Sequence, residues 1–316
     1  MRHFNFKIST HLQTAVCKKV LGHGGFSTVK LFQCKQCYEL NKECDKFFVI
    51  KEFKMELVDI GPCYNKEDMM KKITCLNKML LNEYKIGSKL DHFNIMRTID
   101  IDEQSKSLML EHIIGTDMLD YLNLNSCTNG EYLITSFYHV LHALEYMHDI
   151  GIAHRDIKLE NILLGKEGKD VKVIDFGQSI EFKKNDEYEY AYDLCGTEGY
   201  FPPEYYNQLQ LEYMPDKIDV WCCGVVLYNL VFDYMPWEYT QRNKDAIYAR
   251  CYYYFKNNEL EPNIFNSKSY KMKVSDEDID IINDIFKSVF NLTPCDRITI
   301  KEFKKKVSKL SLCKLN

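Results

Sequence analysis

The stretch Gly151–Leu164, GIAHRDIKLENILL, sets a His, an Arg, an Asp, a Lys, a Glu and an Asn within eight residues, directly ahead of an apolar run. Charges this dense normally lie on the solvent face of a helix. Here the residues that follow read as strand, because NILLGKEGKDVKVIDFG has the pattern of a hairpin turning at GKEG. At the edge of a core such groups are tolerated only where each one meets a partner, since an unpaired buried charge is costly. The chain must therefore fold around a centre that needs an acid, a base and an amide together.

The chain is long enough to build a sizeable core around such a centre, with 316 residues, 46% of them apolar and 28% charged. A net charge of −5 argues against a general nucleic-acid binder, which needs clustered Lys and Arg for phosphates. No stretch reaches the roughly 18 apolar residues of a membrane span. The nearest, VWCCGVVLYNLVF from Val220 to Phe232, reads as a buried core helix, and the N-terminus shows no continuous apolar signal segment. The expectation is a cytoplasmic monomer without membrane insertion. Thirteen cysteines scattered through apolar segments suit free thiols in a reducing compartment. Cys34, Cys37 and Cys44 have spacings that could begin a zinc site, but a fourth ligand would have to come from Cys63 or a distant His. A metal-free hairpin loop is the simpler expectation.

Up to about residue 112 the chain reads as short β-type runs with one helix. KKVLG and STVKLFQC flank a glycine cluster, and KFFVIKEF follows. From Asp68 to Leu90 the period is helical, with Ile73, Leu76, Leu80, Gly87 and Leu90 on one stripe. Glu83 falls on the same stripe. A carboxylate on a buried face requires a cation, so some Lys or Arg is predicted to meet Glu83. Beyond SLMLEHIIG a second stripe, Leu133, Phe137, Val140, Leu141, Leu144 and Met147, ends at Gly151. The prediction is an α+β chain with a small β-rich lobe, residues 1–113, and a larger mainly helical lobe, residues 114–316.

Several groups point to phosphate chemistry. Gly22, Gly24 and Gly25 lie between strand-like runs, where glycine lets backbone amides approach a phosphate, although hairpin turns use glycine for steric reasons too. A strand rather than a helix follows them, which excludes the dinucleotide-binding arrangement. Lys51 reads either as a solvent-facing strand residue or as one that faces a cleft, meets Glu83 and neutralises phosphate. Asp156 and Asn161 share one loop, and Asp175 closes the next hairpin strand. Asn161 and Asp175 offer hard oxygens suited to Mg²⁺, Asp156 is placed to accept a proton from a hydroxyl, and Lys158 can offset charge on a phosphoryl group.

Taken in order, these residues resemble a eukaryotic protein kinase from about residue 16 to 310. The glycine loop is LGHGGFSTV, the catalytic loop HRDIKLEN, the metal motif DFG and the end of the activation segment GTEGYFPPE, with DVWCCG and CDRIT beyond. The resemblance implies a bilobal fold, ATP and Mg²⁺ as cofactors, and phosphoryl transfer to Ser/Thr hydroxyls of protein substrates. It assigns Asp156 as base and Asn161 and Asp175 as metal ligands, with Lys158 and Thr197 beside them. Lys51, oriented by Glu83, would hold the α- and β-phosphates. Around the nucleotide it places Leu21, Gly22, His23, Gly24, Gly25, Phe26, Ser27, Thr28 and Val29. Val49, Leu110 as gatekeeper, Glu111, Ile113, Asp117 and Leu163 complete that wall. Glu204 with Arg297, and Asp219 under the catalytic loop, would be structural. The lysine in DIKLEN and Thr197 in GTEGY are of the Ser/Thr type. NEYKIGSKLDHFNIMRTIDI and MPWE are similar to fungal kinases of the nitrogen-permease-reactivator and halotolerance type, which regulate plasma-membrane transporters. The alternatives are a pseudokinase serving as a nucleotide-binding scaffold and a small-molecule phosphotransferase; the latter is opposed by the complete GTEGYFPPE segment.

The chain departs from the family pattern at several points. Ser27 replaces the third glycine and Pro202 a usual Ala. Gly87 stands where a bulky apolar residue is usual, so the helix carrying Glu83 is expected to be held less firmly unless another side chain fills the gap. KMELVDIGPCYNKEDMM lengthens the connection ahead of Glu83, as a solvated insertion or a docking element. From Ile180 through Gly196 there is no Ser or Thr, while Asp186, Glu187, Glu189 and Asp193 accompany Tyr188, Tyr190 and Tyr192. One reading has a carboxylate there pairing with Arg155 in place of a phosphate; a solvated acidic loop is the other. Asp117 and Glu160 occupy positions that would favour substrates with upstream Lys or Arg, although a third such position is Asn229.

Overall fold

A computed structural model describes residues 15–34, 47–54, 66–124, 129–165, 170–185, 187–206, 212–265, 272 and 274–315. Cys37, Cys44, Cys63, Asp186, residues 55–65 of the insertion and the tip of the GKEG turn lie outside these. The chain divides into two compact units that are discontinuous in sequence. The first takes residues up to Asp91, Met96–Ile114 and Asp175–Gly177; the second takes His92–Ile95, Gly115–Ile174 and everything from Gln178.

The first unit is an antiparallel five-stranded sheet in the order β1-β2-β3-β5-β4, made of β1 (Ala15–His23), β2 (Ser27–Cys34), β3 (Phe47–Phe53), β4 (Thr98–Asp102) and β5 (Ser107–Glu111). The central strand β3, FFVIKEF, is apolar on both faces and is buried from Phe48 to Lys51. Cys34, Phe48, Ile50 and Met109 close one small core beneath it. Helix α1 (Lys66–Gly87) lies against β4 and β5. Of the predicted stripe it buries Leu76, Leu80, Glu83 and Gly87, while Ile73 is half-buried. The helix ends at Gly87 rather than at Leu90, and Leu90 stays buried in a turn whose amide bonds back to Gly87 O (3.3 Å).

No gap exists at Gly87. An added Cβ would collide with Oγ1 of Thr98 and would lie 2.9 Å from its Cβ. Glycine here lets the first residue of β4 approach the helix backbone, and Thr98 supplies the missing bulk. The approach leaves the Thr98 hydroxyl buried without a hydrogen-bond partner among the described residues.

The second unit is built on helices. After β6 (Gly115–Asp117) and α2 (Met118–Leu124) comes α3 (Gly130–Asp149), capped by Asn129, whose side chain accepts from the Tyr132 amide (3.2 Å). Its whole predicted stripe is buried, and Gly151 follows in left-handed backbone at φ +79°. β7 (Ile152–Ala153), β8 (Ile162–Gly165), β9 (Val171–Val173) and β10 (Ile180–Glu181) surround the charged stretch, with sheets in the orders β6-β8-β9 and β10-β7. Helix α4 (Pro215–Phe232) contains the apolar run from Val220 and is buried almost all round. It begins on Pro215 and stops at Asp233, which adopts a left-handed conformation. α5 (Ala246–Lys256), α6 (Pro262–Phe265), α7 (Asp276–Val289) and α8 (Ile300–Val307) complete the unit. Among the described residues no helix is long and apolar enough to cross a membrane.

Candidate active site

In the first unit β3 carries Lys51 opposite Val29 on one side and Leu108 on the other. Its ammonium donates to both oxygens of Glu83 at 2.8 Å and to Asp175 Oδ1 at 2.9 Å. Lys51 is 8% exposed and Glu83 1%. The predicted cation for Glu83 is therefore Lys51. One buried ammonium serves two carboxylates. Burial by itself would lower the Lys51 pKa, but Glu83 and Asp175 together hold it above the usual lysine value. Burial raises the Glu83 carboxyl, against the pull of Lys51 and with Asp175 adding repulsion. Asp175 stands in left-handed backbone at φ +66°, and α1 reaches the same turn through Asn82, whose amide donates to Gly177 O (3.3 Å).

The glycine segment joins β1 to β2. Gly22 pairs with Val29 and His23 with Thr28, and the Gly24 amide closes the turn on Ser27 O (2.8 Å). A Cβ at Gly22 or Gly25 would meet nothing within 4 Å. Nothing among the described residues demands glycine at either position, which fits a backbone kept bare for a bound group. Leu21 and Phe26 are exposed there and Ser27 is buried. Val49 pairs with Leu31 and Leu110, and both Val49 and Leu110 are buried. The Glu111 amide is occupied by Arg97 O (3.0 Å), and Ile113 is half-buried two residues on.

In the second unit Asp117 pairs with Leu163 across β6 and β8. Asp117 Oδ1 accepts from the Asp120 amide (2.8 Å) at the start of α2, and burial raises its pKa. The charged stretch closes on itself. The Thr197 hydroxyl donates to Asp156 Oδ1 (2.8 Å) and accepts from Lys158 Nζ (2.7 Å), while Lys158 lies 3.0 Å from Asp156 Oδ2. Asn161 Nδ2 donates to Asp156 O (2.7 Å) and Oδ2 (3.0 Å). Asp156, Lys158, Asn161 and Thr197 thus form one polar cluster.

Beneath it Asp219, 0% exposed, accepts from the amides of His154 (2.8 Å) and Arg155 (2.7 Å) and contacts His148 Nε2 (2.8 Å). Arg155 sits at φ +66°, and its guanidinium donates to Asp193 Oδ1 (2.6 Å), Tyr213 Oη (2.8 Å) and Gln178 O (2.7 Å). Of the acidic residues considered for Arg155 that lie among the described residues, Asp193 is the one that meets it. Gly196, at φ +102°, passes so close that a Cβ would lie 2.7 Å from Arg155 O. Arg297 holds Glu204 in a two-point pair (2.5 and 2.6 Å) and stacks on Trp221. The sequence reading missed Tyr213 and His148. Tyr213 lies in a loop where no periodicity marks it, and His148 reads there as a helix-end residue. No group of three or more His, Cys, Asp or Glu side chains suited to a metal occurs among the described residues.

Residues 16–307 match the protein kinase domain family. The chain is 31% identical over 220 residues to the serine/threonine-protein kinase HAL4/SAT4 of Saccharomyces cerevisiae, covering 66% of this chain and 33% of that protein. To the serine/threonine-protein kinase hal4 of Schizosaccharomyces pombe it is 28% identical over 239 residues, 74% of this chain and 35% of the relative. To the nitrogen permease reactivator protein of Saccharomyces cerevisiae it is 29% identical over 236 residues, 73% and 27%. The chain thus spans about a third of the length of these relatives. Fold, side-chain groups and the extent of the match agree, and the chain belongs to the protein kinase family.

Proposed function

We propose that this chain is an ATP- and Mg²⁺-dependent protein kinase acting on serine and threonine hydroxyls of protein substrates. The observation that carries the reading is the cluster around Asp156. Its carboxylate is oriented by Thr197 and Asn161 and is flanked by the Lys158 ammonium, which is the arrangement a general base needs beside a charge-stabilising cation. Asp156 accepts the proton of the attacking hydroxyl, and Lys158 offsets the charge that develops. Asn161 spends its N–H on Asp156, so its Oδ1 would be the hard oxygen it offers to Mg²⁺, and Asp175 would be the other residue to hold the ion. Lys51, fixed by Glu83, offers its ammonium to phosphate oxygens. When bound, the metal–nucleotide pair supplies the phosphoryl group and part of the neutralising charge.

Substrate preference follows from Glu160, which is exposed, and Asp117, which is partly committed to capping α2. We read these as favouring Lys or Arg upstream of the target residue, with Glu160 the stronger determinant. The nitrogen permease reactivator relative supports membrane transport proteins as the substrate class. Transfer of radiolabelled phosphate from ATP to a generic basic protein tests the activity: the wild-type chain labels it and Asp156→Asn does not. No labelling by wild type that still binds ATP would overturn the reading in favour of a nucleotide-binding scaffold. A positional-scanning peptide array without a basic preference would remove the specificity claim.

A further inference from the structure

Lys54 follows the last residue of β3 and reaches two carbonyls of the glycine turn, all within the first unit. Its amide donates to Phe26 O (2.9 Å), and its ammonium donates to Gly24 O (3.0 Å). Among the described residues no other side chain hydrogen-bonds the backbone of that turn. The turn has one further fixed point, the Gly24 amide on Ser27 O (2.8 Å). The amides of Gly25 and Phe26 meet no acceptor among the described residues. One residue thus engages two carbonyls of the turn while the two amides between them stay unspent.

A trans peptide sets its carbonyl and the following N–H on opposite sides, and the peptides here are trans. The bond to Gly24 O therefore fixes the direction of the Gly25 N–H and turns it away from Lys54. Without that bond the peptide between Gly24 and Gly25 would turn over at little cost. Glycine adopts both hands of backbone torsion, and at Gly25 nothing lies within 4 Å of where a Cβ would stand. A turned-over peptide would present a carbonyl oxygen where an anion needs a donor. We propose that Lys54 is a positioning residue, which locks the Gly24–Gly25 peptide so that the Gly25 amide is kept for a phosphate oxygen of the nucleotide. Binding then starts from an ordered turn, and less of the affinity is lost in ordering it. The proposal rests on the kinase reading for the identity of that anion.

The test compares the full chain with Lys54→Met and Lys54→Arg. The contact lies at the surface, so neither variant should shift the melting temperature noticeably. For Lys54→Met the Kd of ATP with Mg²⁺, read by calorimetry without turnover, should rise about threefold to tenfold, the effect of one hydrogen bond. The Kd of adenosine, which has no phosphate, should stay the same. KM for ATP should rise in step while kcat changes less than about twofold, and Lys54→Arg, which keeps a donor, should recover most of the affinity. Because the lock acts through the backbone, the ratio of wild-type to Lys54→Met affinity should be equal at low and high salt. In the nucleotide-free chain the turn amides should exchange hydrogen faster in Lys54→Met. Equal ATP affinity in the two proteins, an equal loss for adenosine, or unchanged exchange would overturn the proposal. So would a ratio that collapses in salt, the mark of a bare charge acting on phosphate. A wild-type chain that bound neither ATP nor adenosine would defeat the kinase reading, and the exchange measurement would still decide the lock.

Discussion

Asp193 Oδ1 accepts a 2.6 Å hydrogen bond from Nη1 of Arg155, which joins a buried guanidinium to a largely exposed carboxylate. Tyr213 secures the pair by donating to Asp193 O (2.5 Å) and accepting from Arg155 (2.8 Å). A carboxylate supplied by the chain thus occupies a place where a phosphate could serve. We expect protein treated with phosphatase to phosphorylate a peptide as fast as untreated protein, and Asp193→Ala to slow it several-fold. Strict dependence on phosphotyrosine in this segment would refute the idea.

The same pair sets a pH dependence. Burial raises the Asp193 carboxyl, but the hydrogen bond and charge of Arg155 outweigh it and hold its pKa below the ordinary value. A depressed carboxyl contributes stability that is present above the unfolded pKa, near 4, and is lost as pH falls through the folded one. Wild type should therefore exceed Asp193→Asn in stability at neutral pH, and the two denaturation midpoints should converge on acidification below about pH 4.

Lys51→Met would strand two carboxylates around an apolar side chain. Removing one partner of a buried pair typically destabilises by about 3–5 kcal/mol, and urea titration should show a loss of that order. Glu83→Gln has a distinct signature. The Glu83 carboxyl is raised to about 7, mainly by burial, so the folded state binds its proton more tightly than the unfolded chain does. Wild-type stability relative to Glu83→Gln should then fall as pH rises from about 4.5 to about 7.

Gly87→Ala should cost about 1–3 kcal/mol through the collision with Thr98, despite the better helix propensity of alanine. Thr98→Ala removes a hydroxyl that has no partner among the described residues and should cost less. In the double variant part of the penalty should disappear, which a double-mutant cycle by thermal denaturation would measure.

Thr197→Val keeps the shape of the side chain but removes the hydroxyl that bridges Asp156 and Lys158. A fall in kcat of about tenfold to a hundredfold is expected. Thr197→Ser should restore most of it, and the melting temperature should hardly move. Equal kcat in all three proteins would remove Thr197 from the mechanism.

The Lys51–Glu83 pair is legible in the sequence, because a carboxylate on an apolar helical stripe demands a cation and β3 offers one on a buried strand. The cluster around Asp156 was legible for a related reason, since its members lie within six residues of one another apart from Thr197. Gly87 was read correctly as a missing side chain. That Thr98 fills the space depends on how closely β4 approaches α1, a distance that no local pattern encodes. The partner of Arg155 was narrowed to a few acids, but an irregular segment has no period to choose Asp193 among them.

Asp219 spends both oxygens on successive amides, and the second belongs to Arg155, a side-chain-bearing residue in a conformation that usually favours glycine. Glycine at 155 would relax the torsion and forfeit the guanidinium; asparagine at 219 would lose a charged anchor while the torsion persisted. Neither position can drift alone. A breeder of thermostable variants should treat them as a single inherited unit and look for improvement elsewhere.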